Sequence, residues 1–199
     1  MIFGPFWEMS APVLLAHFLL GIPIALLVGN ATEWMVHKYL LHGVGKRKKS
    51  FWNFHWHDHH RQSRRNRIDD PDYREGLFTK WNGQSKEAFA LLVSGLILSP
   101  VVLVTPGFAL GLCWCHFNYY FRHKKAHLDV TWARRHMPWH VDHHLGRNQD
   151  ANWCVTRPWF DILLGTREPY VGTEAESRMT SVPSTGNLVS PGRCDKHLP

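Results

Sequence analysis

The sequence predicts an all-α membrane protein: about three transmembrane helices, one alone and two as a hairpin, with a cytosolic helical cap holding a histidine-rich di-metal site. Three observations carry this prediction. Two apolar stretches of membrane-spanning length interrupt a chain of 199 residues that is otherwise polar. A Pro-Gly step divides the second stretch. Fifteen histidines are present, and most of them fall in four short sets close to the apolar stretches. With 44% hydrophobic and 20% charged residues the chain is not disordered. So many imidazoles need a chemical reason, because each one buried without a partner costs free energy.

The first span is expected at about 11–30. Ala11 to Val28 contains one ionisable residue, His17, and is long enough to cross about 30 Å of hydrocarbon as a helix. A cleaved signal peptide would need basic residues ahead of the run, and the first ten residues carry only Glu8. The stretch from Ala88 to Cys115 has no charge. As one helix it would be roughly 40 Å long, more than a single crossing needs. Thr105-Pro106-Gly107 interrupts it, and a tight turn there, using glycine's freedom at positive φ, splits it into spans at about 89–104 and 108–121.

Three crossings leave 37–87 and 122–170 on one face, as a cap. That face carries Lys46, Arg47, Lys48, Lys49, Arg61, Arg64, Arg65, Arg67 and Lys86. By the positive-inside rule it is cytosolic, in a bacterial inner membrane or the endoplasmic reticulum. The net charge of +7 then faces lipid headgroups and calls for no nucleic acid. Residues 1–170 read as a single membrane-embedded domain, and 171–199, rich in Ser, Thr, Gly and Pro, as a flexible tail. The four cysteines read as free thiols on the reducing side or within the membrane. Trp34, Trp52, Trp56, Trp132, Trp139 and Trp153 are expected as interfacial anchors.

The histidine sets are His37/His42, then His55/His59/His60, then His123/His127, and last His140/His143/His144. On a helix, residues three or four apart share a face. His55/His59, His123/His127 and His140/His144 can therefore each aim two rings at one ion. The adjacent ring of each HH doublet, about 100° away, can reach a second ion. His37 and His42 are five apart and need a bulge or a helix end. Ten ligands exceed what one ion takes, so two ions are implied. Imidazole suits iron, copper, nickel and zinc. Glu33, Asp58, Asp129 and Asp142 are expected to orient the rings. His57, His116 and His136 read as supporting or pocket-wall groups, and His17 and His197 as incidental.

The order HX4H, HX3HH, HX3H, HX2HH resembles the fatty acid hydroxylase/sterol desaturase superfamily of integral membrane di-metal oxygenases. Glu33-Trp34-Met35-Val36-His37 is similar to the family's lead-in. Asn152 followed by Trp159-Phe160-Asp161 and Gly165-Thr166 is similar to its closing stretch, with one extra residue between Trp and Asp. The likeness covers about 18–168.

The resemblance implies two iron ions held by the ten histidines, with O2 as co-substrate, although zinc can occupy such a site in a purified sample. It implies hydroxylation of an unactivated C–H bond of a membrane lipid; the third box leans toward a fatty acyl chain, and a sterol remains the other candidate. The second box departs from the commoner HX2HH, because Trp56 stands three before His59, so His55 is taken as the ligand and His57 as its rival. A desaturase on the same scaffold and a non-enzymatic zinc-binding membrane protein are the alternatives. No haem- or flavin-binding segment is recognisable, so electrons are expected from an external donor: cytochrome b5-like, ferredoxin-like or a reductase.

Overall fold

The computed structural model describes residues 5–181, apart from the side chains of 179–181. Their regular structure is all helical, with no strand among the described residues. Helix α1 (Ala11–Met35) starts with a proline in its first turn, where a missing N–H is harmless. It runs directly into a π-helical segment, Val36–Val44. A second π-helical segment, His55–His60, leads into the short α2 (Arg61–Arg65). Helix α3 (Gly83–Leu98) is capped by the Asn82 side chain, which accepts from the Ser85 N–H, and ends in a 3-10 turn, Ser99–Leu103. Helix α4 (Pro106–Leu128) returns antiparallel to it as the second arm of a hairpin.

Two of these helical stretches, Ala11–Val44 and Gly83–Leu103, are long and apolar enough to cross a membrane. Helix α4 is not one of them by the same measure. Large apolar side chains face outward on both, among them Leu20 (65% exposed), Leu96 (72%) and Ile97 (71%). Apolar surface of this extent marks a membrane or a partner rather than water.

The hairpin turn falls one step earlier than the sequence suggests. Pro106 and Gly107 already lie in the first turn of α4, and Gly107 is not among the glycines at positive φ. Its role is close approach. A Cβ at Gly107 would run into the backbone oxygen of His17, and one at Gly21 would lie 2.6 Å from the amide of Phe108. Further along the same contact, a Cβ on Gly111 would lie 2.5 Å from that of Ala25, and one on Gly29 2.6 Å from the sulfur of Cys115. Gly21, Ala25 and Gly29 on α1 thus meet Gly107, Gly111 and Cys115 on α4, each set at four-residue spacing. Small residues at this interval let two apolar helices pack backbone to backbone. The contact holds the C-terminal ends of α1 and α4, and the histidines there, in fixed relation.

The cap has its own core of Ile68, Ala126, Ala133, Met137, Val141 and Val155, all fully buried. Helices α5 (Val130–His136) and α6 (Pro138–Leu145) pack on it. Asp129 caps α5 by accepting from the Trp132 N–H. A strap of irregular chain, 146–158, then leads to the one-turn α7 (Trp159–Leu163).

Two expectations change here. The segment after 170 is not loose at its start: 174–181 form α8, and the Glu176 carboxylate accepts from Arg134 at 2.5 Å. The amides of Tyr170 and Val171 both donate to Asp142. Residues 182–199, with Cys194 and His197, lie outside the described residues. Trp34 and Trp153 are buried in a cluster with Cys154 instead of standing at an interface. The indole N–H of Trp34 donates to the Thr166 hydroxyl. Cys113, Cys115 and Cys154 are free thiols.

If the small-residue contact sets the α1–α4 register, Gly111→Leu will destabilise the protein by about 1–3 kcal/mol or more, the usual cost of overpacking. Gly95→Ala, on an open face inside α3, will not destabilise it and is expected to stabilise it by about 0.5–1 kcal/mol. Thermal unfolding in detergent compares the two.

Candidate metal centre

The π-helical turns explain which rings meet. In a π-helix each backbone N–H reaches back five residues rather than four, so side chains five apart come onto one face. His37 and His42 share such a segment, and this is the bulge their spacing requires. His55 and His60 share the other. Together with His143 they form one buried group of five. His59, His123, His127 and His144 form a second buried group. The Nε2 of His140 lies 2.9 Å from that of His127 and joins this second group.

All ten rings are therefore brought together, five to each group, but one expected pairing is overturned. His55 and His59 do not face a common point. The π-turn places His55 with His60 and turns His59 to the other group. In α6, an ordinary α-helix, His140 and His144 do share a face, and His143 points to the first group. Each HH doublet is thus split between the groups, which abut: the His60 and His144 ring centroids are 4.6 Å apart.

Six outward nitrogens are anchored, three in each group. In the first group, His37 Nδ1–H donates to the Trp153 carbonyl at 2.5 Å and His143 Nδ1–H to that of Ala151 at 2.7 Å. His42 Nδ1–H donates to Asp150 at 3.1 Å. In the second, His59 donates to Asp70 at 2.7 Å, His123 to Glu87 at 2.6 Å and His127 to the Ile68 carbonyl at 2.6 Å. The Tyr73 hydroxyl also donates to Glu87.

A neutral imidazole has a single N–H. Once that proton is committed outward at Nδ1, Nε2 presents a bare lone pair to the interior. His123 and His127 are in this state, and their Nε2 atoms are only 3.2 Å apart. In the first group, the Nε2 of His60 lies 3.0 Å from those of both His42 and His143, and 3.2 Å from that of His55. One proton on His60 can satisfy only one of these neighbours. His59 Nε2 and both nitrogens of His144 have no hydrogen-bond partner.

Converging lone pairs repel unless a cation lies between them. Two nitrogens bound to one ion at about 2.0–2.1 Å stand about 2.9–3.4 Å apart, which is the spacing observed. The residues fit a pair of metal ions. Burial keeps the rings in the ligating, neutral form: it pushes His55, His60, His127, His140 and His144 well below the usual imidazole range, and His143 to about 4.

The four acids named from the sequence do not orient the rings. Asp58 pairs with Arg61 at the surface, Asp129 caps α5, and Asp142 binds the 170–171 amides and Arg167. Glu33 accepts from the amides of Val155 and Thr156 and from the Thr156 hydroxyl. The acids that do contact histidines, Asp70, Glu87 and Asp150, are remote in sequence from the rings they hold. Only the fold joins them. His57 is part-exposed and bonds the Lys46 carbonyl, and His136 is exposed on α5, against Trp132. His116 lies apart from both groups, bonded to Ser94 at 2.7 Å.

A cavity of about 530 Å³ runs between α1, α3 and α4. Its lining is almost wholly apolar. From Glu87 to Leu98, both on its wall, α3 rises about 16 Å. At one end it is closed by His37 and His55 of the first group and His59 and His123 of the second.

No protein-family model, curated protein or solved structure matches the chain.

Metal analysis separates the rival ligands. His55→Ala is expected to lower the metal content from about two equivalents to about one, as loss of an inner ligand does, while His57→Ala retains both. Elemental analysis of the purified variants reads this directly.

Proposed function

We propose that the protein is an integral, multi-pass membrane enzyme, an O2-dependent di-iron oxidoreductase that hydroxylates an unactivated C–H bond of a membrane lipid, a fatty acyl chain rather than a sterol. One observation carries this reading: a long apolar cavity between apolar helices ends on both histidine groups at once. Iron held by these groups would supply what side chains lack, the reduction of O2 and the oxidation of a carbon without an acidic proton.

The chain's own residues do the rest. The apolar walls take a hydrocarbon chain out of the bilayer without exposing it to water. The narrow space between α1, α3 and α4 aligns that chain along the helices, so that position selects the carbon, since methylenes differ little in intrinsic reactivity. The outward Nδ1 bonds keep six of the ten rings from turning as charge at the centre changes. Arg61, Arg64, Arg65 and Arg67 are exposed together on the cap. A groove of about 280 Å³ lined by Trp56, His57, Arg61 and Arg64 reaches His60. This basic face, read as cytosolic, suits an acidic external electron donor.

The test is iron-loaded protein in lipid, supplied with reductant and O2, with products read by mass spectrometry. A lipid product heavier by one oxygen is expected, and His143→Ala should abolish it. Loss of two hydrogens instead would identify a desaturase. Bound metal with no O2 uptake and no altered lipid would overturn the enzyme reading.

A further inference from the structure

The two histidine groups are supported by different chemistry. In the second group, two rings donate to buried carboxylates. Asp70 is 1% exposed, and Glu87 is buried against Tyr73. Among the described residues, no lysine or arginine forms an ion pair with either acid. Two formal negative charges therefore stand immediately behind this group in a region of low dielectric.

In the first group, His37 and His143 donate to backbone carbonyls, which carry no net charge. Its one carboxylate, Asp150, has its side chain 51% exposed, and both oxygens accept from Lys46 Nζ at 2.7 Å. Solvent and the ammonium cancel most of its field. A carboxylate behind a histidine raises the basicity of the ligand, and removing such a partner typically weakens metal binding about 10–100-fold.

The two carbonyls belong to one strap, and one side chain holds the stretch that carries them. Asp161 is fully buried. Its Oδ1 accepts from the Trp153 amide and the Thr166 hydroxyl, each at 2.8 Å, and its Oδ2 accepts from the Cys154 amide at 2.8 Å. The Asn152 amide donates to the Thr166 carbonyl, and Asn152 itself sits at positive φ. The closing Trp-Phe-Asp and Gly-Thr residues thereby acquire a physical task, to aim the carbonyls of Ala151 and Trp153 at His143 and His37.

We infer that the two groups are cation sites of unequal strength: the one built on His59, His123, His127, His140 and His144 fills first, and the one built on His37, His42, His55, His60 and His143 fills second, with Asp161 as its positioning residue. This rests on the two-metal part of the proposed function and not on its oxidation chemistry.

The experiment is a Co²⁺ titration of the metal-stripped, full-length protein in detergent, followed by visible absorption and by calorimetry, with no lipid or O2 involved. Two equivalents are expected in two steps at least tenfold apart in affinity. His127→Ala should remove the tight step and His143→Ala the weak one. Glu87→Gln should weaken the tight step about 10–100-fold and spare the weak one, and Asp161→Asn should do the reverse. Where either carboxylate variant fails to purify as a single species, Asp70→Asn replaces the first and Thr166→Val the second. Binding of both equivalents in one step, binding of a single equivalent, or equal effects of both variants on both steps would overturn the inference. Two-step binding by a protein that oxidises no lipid would leave it standing and remove the hydroxylase reading alone.

Discussion

An imidazole carries one proton, and the cap is organised around where that proton goes. For six of the ten rings the outer nitrogen donates to a carbonyl or carboxylate, and the inner one is left bare. Each of those bonds is ordinary alone. Together they force lone pairs to converge inside a dry interior, an arrangement that is unfavourable for the protein by itself and favourable around cations. Packing of the cap, the strap and the hairpin all serve to hold this convergence.

The backbone takes part as much as the side chains do. Both π-helical segments fall on histidine sets, and the wider turn alters which rings are neighbours. It brings together His37 with His42 and His55 with His60. An α-helix through the same residues would separate the first pair and join His55 to His59. Helix α6 keeps ordinary geometry and contributes the complementary division, one ring to the first group and two to the second. The equal sharing of ten rings thus comes from alternating two helical pitches.

The same helices tie the centre to its surroundings. Gly21, Ala25 and Gly29 bring α1 against α4, so rings at the ends of the two helices approach one another. Helix α3 stands off enough to leave the cavity between the three. Its Glu87 reaches His123 from the cavity wall, which links the lining of the apolar space to the orientation of a ring in the second group. The apolar cavity and the alignment of the rings are therefore not independent features of the fold.

The ten histidines, the helical class and the hairpin were legible in the linear chain, because apolar length and residue spacing are local properties. The small residues at four-residue intervals, Gly21, Ala25 and Gly29 against Gly107, Gly111 and Cys115, took their meaning only from the packing, which shows them to be the α1–α4 contact. The pairing of His55 with His60 was not legible either, since helix pitch responds to what the rings must reach. Nor were the acids: Asp70, Glu87 and Asp150 stand eleven, thirty-six and 108 positions from their histidines, and nothing local distinguishes them from the nearer Asp58, Asp129 and Asp142. The sequence by itself determined which groups could ligate. Only tertiary structure decided which rings share a point and which charge stands behind them, because both depend on contacts between segments that the chain order keeps apart.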